Sequence, residues 1–282
     1  MKFENLNELF RETARQLSIS PCPFIEARLL IQQAWEMEET EFFCQLNSPV
    51  SEKQLKKLKS LLGKRLSGWP LAYLLGKKEF WNLEFEVNPQ VLIPRPETEL
   101  LVEKVLAWPL PGNACLLDVG TGCGNIALAL AKERPRFRVV ASDISRRALR
   151  VAAKNAIKHG VKNITFIQSN LLDYFLKEKK QFEVIVSNPP YLSEKDWSGL
   201  DSQIKGFEPR RALVAGPTGL EIFEKLIRQS LNCLKTSGYI ALEFGPGQEK
   251  KLITFFGKDW LEPEIHKDYS GYPRVLTAKR AS

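Results

Sequence analysis

Ala114-Cys115-Leu116-Leu117-Asp118-Val119-Gly120-Thr121-Gly122-Cys123-Gly124 is the stretch that decides the fold. An apolar run leads into three alternating glycines, and the periodic segment Asn125-Ile126-Ala127-Leu128-Ala129-Leu130-Ala131 follows at once. Strand, glycine turn and helix in that order make a nucleotide-type βα unit, because glycine accepts positive φ and lets a ligand approach the backbone. The spacing is G-x-G-x-G. The third-glycine position of the dinucleotide fingerprint is occupied by Asn125.

Strands and helices alternate downstream, as in a parallel sheet. Arg138-Val139-Val140-Ala141-Ser142-Asp143 is a second strand, ending in an acid 19 positions beyond Gly124. An acid there can accept hydrogen bonds from both hydroxyls of a ribose; its structural alternative is an Asx turn or N-cap for the helix that starts near Arg146. Asn163 to Ile167 form a third strand. A fourth, Phe182-Glu183-Val184-Ile185-Val186, runs into Ser187-Asn188-Pro189-Pro190-Tyr191. Two prolines donate no N–H and fix φ, so the strand ends at Asn188. The Asn oxygen and the neighbouring carbonyls are then available to a bound group, and a pocket rich in acceptors suits an NH2 donor. For an isolated Asn-Pro-Pro the plain alternative is a strand-ending turn.

Asp118 set just before the glycine turn looks more like the S-adenosylmethionine site of class I methyltransferases than a pyrophosphate cradle. An Asp-x-Gly-x-Gly-x-Gly turn followed by Asn-Pro-Pro-Tyr is similar to methyltransferases acting on conjugated nitrogens: adenine N6, guanine N2 and the glutamine side-chain amide. Ile93-Pro94-Arg95-Pro96-Glu97-Thr98-Glu99, Glu208-Pro209 with Ala212-Leu213, and Leu242-Glu243-Phe244-Gly245 with Gln248 resemble the HemK/PrmC family of protein-glutamine methyltransferases, which modify peptide-chain release factors. The likeness covers nearly the whole chain. It implies a Rossmann-like α/β domain with a mixed seven-stranded sheet in the order 3-2-1-4-5-7-6. The donor it implies is S-adenosylmethionine, leaving as S-adenosylhomocysteine, and the partner is a class 1 release factor carrying a Gly-Gly-Gln glutamine.

The resemblance also assigns residues. Asp118, Gly120, Thr121, Gly122, Cys123, Gly124 and Asp143 fall to the cofactor, as does Asn188. The adenine loop corresponds to Asn170 and Leu171, where an acid is common in such enzymes; an Asn oxygen also accepts and Leu171 can cover the ring, with Asp173 as a substitute acceptor. Asn188, Pro189, Pro190 and Tyr191 take the catalytic and substrate positions, and Arg95 and Glu97 hold substrate or order the site. Pro-Arg-Pro-Glu has a plainer role as a rigid helix entry, with Thr98 capping the helix that carries Leu100 to Leu106.

With 282 residues, two domains are expected, and a 44% hydrophobic share supports sizeable cores. No run of about 18 apolar residues occurs and the first residues include Glu4 and Glu8, so a soluble, cytoplasmic protein, away from membranes, is expected. The five cysteines are scattered without C-x-x-C, which indicates neither a disulfide framework nor zinc. The net charge of +8 permits contact with RNA or an acidic protein without demanding it. Its densest part, Lys53, Lys56, Lys57, Lys59, Lys64 and Arg65, is by default a solvated helix face.

Residues 1–78 have helical periodicity, broken at Ser18–Pro23 and Ser48–Ser51, and form a small bundle assigned to substrate recognition. Residues 79–94 are expected to be a β-hairpin linker turning at Asn88-Pro89 and returning through Val91-Leu92-Ile93. The methyltransferase domain covers 95–282 and acts as a monomer. Within it Leu192 to Thr218 reads as a long functional loop, Gly219 to Leu234 as a helix, Tyr239 to Phe244 as a fifth strand, and the rest as an antiparallel closing hairpin.

A sulfonium methyl is already activated, so transfer needs alignment more than a metal or nucleophilic side chain. His159 and His266 lie away from every motif. An amide nitrogen is a poor nucleophile; Asn188 and the Pro189 carbonyl could orient it and stabilise its growing charge, with Tyr191 packed on the amide plane. Two other functions remain open. A nucleic-acid amino-methyltransferase would offer a flipped base to the same acceptors, although no separate target-reading domain is evident. A non-catalytic ribosome-associated protein could retain the fold.

Overall fold

The computed structural model describes residues 3–200 and 202–282. The chain divides into two compact units, Met1–Lys77 with Ser202–Phe207, and Lys78–Asp201 with Glu208–Ser282.

The first unit begins with α1 (Leu6–Gln16), α2 (Pro23–Trp35), α3 (Glu39–Cys44), α4 (Glu52–Leu66) and α5 (Leu71–Leu75). Asn5 and Ser51 cap α1 and α4 by accepting from the Glu8 and Gln54 amides. Leu6, Leu9, Ala27, Leu30, Phe42 and Leu58 are among the buried side chains of this bundle, which explains the apolar spacing. Arg65 of α4 donates to both carboxylate oxygens of Glu26 on α2, at 2.7 and 2.9 Å. That guanidinium is therefore structural, whereas Lys53, Lys56, Lys59 and Lys64 on the same helix are exposed.

The chain continues through β1 (Lys77–Phe80) and β2 (Leu83–Glu86). Here the structure corrects the expected hairpin. Its turn is Trp81-Asn82, with φ of 50° and 55°, the two-residue connection whose twist matches paired strands. Asn88-Pro89 does make a turn, closed by the Val91 amide on the Asn88 carbonyl at 3.1 Å, but Val91 to Ile93 is not a strand. Tertiary bonds hold a bulky residue in this uncommon conformation: Glu99 accepts from the Trp81 amide at 2.8 Å and Glu133 from its indole at 2.9 Å.

The remaining elements alternate: α6 (Glu99–Ala107), β3 (Cys115–Val119), α7 (Asn125–Glu133), β4 (Arg138–Asp143), α8 (Arg146–Lys158), β5 (Ile164–Gln168), α9 (Asp173–Lys177) and β6 (Phe182–Ser187). The expected loop from Leu192 to Thr218 is largely ordered into short elements. These are β7 (Leu192–Ser193), α10 (Glu194–Gly199), α11 (Ser202–Phe207) and β8 (Val214–Gly216). Ser193 and Asp196 close a capping box on α10, and β8 pairs with β7 in parallel. Local capping thus supplies order that the charged composition concealed. After α12 (Glu221–Cys233) come β9 (Leu234–Glu243), α13 (Glu249–Ile253), β10 (Trp260–Lys267) and β11 (Pro273–Arg280).

Seven strands form one sheet in the order β10-β11-β9-β6-β3-β4-β5. This is the 3-2-1-4-5-7-6 order, with only β11 antiparallel to its neighbours. Leu117, Ile185, Ile240 and Leu276 alternate with Leu116, Val184, Ala241 and Val275, and all are buried, so both sheet faces are covered. The C-terminal ends of β3, β4, β6 and β9 consequently share one edge, where an α/β sheet binds its ligands.

Candidate active site

The glycine turn is fixed to the neighbouring strand. The Gly120 and Thr121 amides both donate to the Ser142 carbonyl, at 2.8 and 2.9 Å. Gly120 and Gly122 have φ of 75° and 57° with open space where a side chain would project. Their backbone is therefore exposed to a ligand, which requires glycine there. Buried Asn155 holds the turn from behind, donating to the Cys123 carbonyl at 2.9 Å and the Glu86 carbonyl at 3.1 Å. Cys123 is itself buried, with burial pushing its thiol up to about 12. It packs and does not react.

Three carboxyls stand along this edge. Asp118 is fully buried. Thr121 donates to its Oδ2 at 2.6 Å, while Oδ1 has no hydrogen-bond partner among the described residues. Burial pushes Asp118 up to about 7, against the lowering effect of the Thr121 hydroxyl. Asp143 accepts from the Gly122 amide at 3.0 Å through one oxygen and from the Ser145 amide at 2.8 Å through the other. The Asx turn and the contact with the glycine turn therefore coexist, and Ser145 caps α8. Burial also raises Asp143, partly offset by those two amides.

The third carboxyl, Glu243, ends β9. The register Ser187↔Leu242 brings it beside Asn188, and it is buried with Oε2 lacking a partner among the described residues. Burial pushes Glu243 up to about 7, opposed by the Thr98 and Asn188 side chains as donors. Glu243 escaped assignment from sequence, although the signal was there: an acid at a strand end, like Asp118 and Asp143.

Asn188 lines a cleft with Leu92, Pro94, Arg95, Thr98 and Gly122. Its Nδ2 donates to Thr98 Oγ1 at 3.1 Å. Thr98 consequently does not cap α6 as its sequence position suggested; it lies in a 3-10 turn and makes no capping bond. Pro189 is buried and Pro190 half-buried. Tyr191 is fastened through its backbone, with Gln248 Nε2 donating to its carbonyl at 2.8 Å and its own amide donating to Leu213 at 3.2 Å. A side chain on Gly245 would come within 2.8 Å of the Tyr191 ring, so that glycine makes room for the aromatic. Burial pushes the Tyr191 hydroxyl up to about 12.

Arg95 donates to Glu208 Oε1 at 2.6 Å, and the Ile93 amide donates to Oε2 at 3.3 Å. The two segments singled out in the sequence, Pro-Arg-Pro-Glu and Glu-Pro, thus meet through an ion pair. Glu97 is exposed, within electrostatic range of Tyr191 and Glu243. Asn170 is also exposed, and its Nδ2 donates to Asp173 at 3.2 Å; Leu171 has a φ of 49°. His159 and His266 bond the Glu84 carbonyl and the Thr277 hydroxyl.

Open glycine backbone, an unpaired buried carboxylate oxygen and a second acid after β4 suit a ligand that carries hydroxyls and positive charge. These features and the sheet order define a class I methyltransferase, whose methyl donor is S-adenosylmethionine. Comparison with known proteins agrees. A family model for the methyltransferase small domain matches residues 96–201, and one for the PrmC N-terminal domain matches 8–76. A methyltransferase structure from Pyrococcus furiosus superposes with a TM-score of 0.53 at 20% identity, covering 79% of this chain and 100% of that one. The release factor glutamine methyltransferase of Buchnera aphidicola is 38% identical over 98% of this chain and 99% of its own. That of Escherichia coli is 38% identical over 95% and 96%. The chain belongs to the release factor glutamine methyltransferase family.

Proposed function

We propose that this protein methylates the side-chain amide nitrogen of the glutamine in the Gly-Gly-Gln loop of class 1 release factors. S-adenosylmethionine supplies an electrophilic methyl on a sulfonium. The chain's own task is to hold a weak nucleophile in line and to accept hydrogen bonds from its N–H groups. The observation that carries this reading is the pose of Asn188, whose NH2 is spent on Thr98 at 3.1 Å in a residue that lines the cleft. Its Oδ1 is then the polar atom left for an incoming NH2. Conjugation deprives an amide nitrogen of its lone pair, and acceptors on its two N–H bonds favour the pyramidal, positively charged nitrogen of the transition state. The Pro189 carbonyl is the second acceptor, and Tyr191 packs on the amide plane.

Asp143 holds the ribose hydroxyls with the lone pairs that its two amide donors leave free. Asp118 and the backbone of Gly120 to Gly124 face the methionine part, while the Asn170 oxygen and Leu171 face adenine. Arg95 orders the cleft wall through Glu208, and Glu97 adds negative charge near the amide. The helical unit recognises the release factor. On this reading the chain works as a monomer in the cytoplasm, where translation terminates; among the described residues no helix is long and apolar enough to cross a membrane.

The test is Asn188→Ala with a release factor as substrate and mass spectrometry of the Gly-Gly-Gln peptide. S-adenosylmethionine should bind within a few-fold of wild type while turnover falls by about 100–1000-fold, the usual loss for one preorganised hydrogen bond to developing charge. Asn188→Asp separates the need for an acceptor from the need for a neutral amide. Near-normal methylation by Asn188→Ala would defeat the mechanism.

A further inference from the structure

Tyr269 and Tyr272 are 90% and 59% exposed, and they stand on the tip between β10 and β11. Strand register places that tip. β9 runs parallel to β6 with Ser187 opposite Leu242, and β11 runs antiparallel to β9 with Val275 opposite Glu243. The chain therefore enters β11 at the edge where β6 delivers Asn188, and residues 268–272 project beyond that edge on the side of Asn188 to Tyr191. Two strand spacings, about 10 Å, separate the two segments across the sheet.

The tip is tied to the site from two directions. The Phe244 amide donates to the Arg274 carbonyl at 2.9 Å, and the next residue, Gly245, is the one that makes room for the Tyr191 ring. The Tyr269 hydroxyl donates to Glu103 at 2.7 Å on α6, the helix that follows Thr98, itself the partner of Asn188 at 3.1 Å. Within the tip the buried Asp268 carboxylate accepts from the Ser270 and Tyr272 amides at 3.0 Å each and from Arg274 twice at 3.1 Å. The Asp268 amide in turn donates to the Tyr272 carbonyl at 2.8 Å. A turn bonded in this way is preorganised, yet its two largest side chains face solvent. Ring faces left in water add nothing to folding, whereas a partner that covers them gains their area at little cost in ordering.

We propose that Tyr269 and Tyr272 dock the peptide flanking the target glutamine of the release factor, their rings lying on the peptide planes of its two glycines. This rests on the function proposed above. Glycine chemistry carries the fit: with no Cβ, a Gly-Gly backbone brings flat peptide groups into contact with an aromatic face, where a larger residue would hold the ring off. Tyrosine suits such a surface because it offers a large contact area with only two torsions to fix. The cleft at Asn188 takes the glutamine side chain, and the tip takes the backbone that leads to it.

The test is steady-state kinetics on a release factor with Tyr269→Ala, Tyr272→Ala and the double variant, with donor affinity followed by calorimetry. Each single variant should raise the KM for release factor about tenfold, the scale of an aromatic anchor at an interface, and the double variant should raise it further. Loss of binding shared by ground and transition states moves KM more than kcat, so kcat should change by less than about threefold. Tyr269→Phe and Tyr272→Phe keep the rings and should keep the KM, although Tyr269→Phe gives up the bond to Glu103. Leu261→Ala removes an exposed side chain at the opposite end of β10 and should alter neither constant. Alanine in place of the substrate glycine just before the glutamine tests the stacking itself. It should cost the wild-type enzyme more than the double variant, in which the rings that it would displace are gone.

A wild-type KM in the double variant, or equal losses from the substrate alanine in both enzymes, would overturn the docking surface. So would a wild-type dimer that the double variant disperses while KM holds, since the rings would then serve a second copy of this chain. If Tyr269→Ala failed to fold through loss of its bond to Glu103, Tyr272→Ala would still decide the matter. The two readings fail separately. Wild-type enzyme that leaves the glutamine unmethylated sinks the function, whereas full methylation with a KM indifferent to both rings sinks only this surface.

Discussion

Asp118 and Glu243 are acids that the fold holds out of water, and this leaves a measurable trace in stability. Burial takes Asp118 from 3.8 and Glu243 from 4.5 to about 7. Both are protonated in native and unfolded chains at low pH. As pH rises from about 4 to 7 the unfolded chain ionises first, the native state binds more protons, and stability declines until about pH 7. Relative to Asp118→Asn, wild-type protein without ligand should therefore lose stability across that window in pH-dependent thermal unfolding. A parallel profile would show that Asp118 ionises freely. Asp143 tests the neighbouring position: Asp143→Ala should weaken S-adenosylmethionine by about 1.5–3 kcal/mol, the range for hydrogen bonds to a charged group. Unchanged affinity by calorimetry would remove it from the ribose site.

At the level of elements, the Asn-Pro-Pro-Tyr segment depends on neighbours far along the chain. Gln248, leading into α13, donates to the Tyr191 carbonyl at 2.8 Å and the Gly219 carbonyl at 3.3 Å, and its own Oε1 accepts from the Gly245 amide at 3.0 Å. One side chain thus ties the end of β9, the start of α12 and the catalytic segment together. Gly219 has a φ of 81°, and a Cβ there would stand 2.5 Å from the Tyr191 carbonyl. Gly219→Ala should cost at least about 1–2 kcal/mol, the left-handed penalty alone. The collision would displace Tyr191 as well, so turnover should fall more than donor affinity. Denaturant unfolding and kinetics check both parts; a variant with normal stability and rate would contradict this geometry.

Over the whole molecule, Glu26 of the helical unit and the buried acids at the sheet edge respond to acid in opposite directions. In the helical unit burial pushes Glu26 up, but Arg65 and the Ser20 hydroxyl outweigh it and hold the carboxyl below its usual range. A lowered carboxylate contributes stability above its unfolded value and loses it as pH falls through the folded one. Through Glu26 the helical unit should weaken on acidification below about pH 4.5, the value from which that carboxyl is lowered, while the three raised acids of the other unit, Asp118, Asp143 and Glu243, favour the native state there. Glu26→Gln should flatten the acid side of the helical unit's unfolding profile, followed by hydrogen exchange of α2 and α4. Equal acid loss in that variant would assign the effect elsewhere.

Sequence by itself determined the sheet. Apolar strands, the glycines at 120, 122 and 124, and the prolines at 189 and 190 carry local constraints on φ and on hydrogen bonding that hold wherever the chain goes. It also marked Asp143 and Asn188, because strand ends meet at one edge of a parallel sheet, while Asp118 and Arg95 were marked by the family resemblance. What sequence left undecided depends on partners distant along the chain. The Trp81-Asn82 turn carries no glycine and stands because Glu99 and Glu133 bind Trp81. Thr98 looked like a helix cap, but Asn188, 90 positions away, takes its hydroxyl. Glu243 became part of the site only through strand register. Periodicity records which face of an element is buried, and a single polar side chain at an element's end has no period; only the tertiary structure decides what it meets.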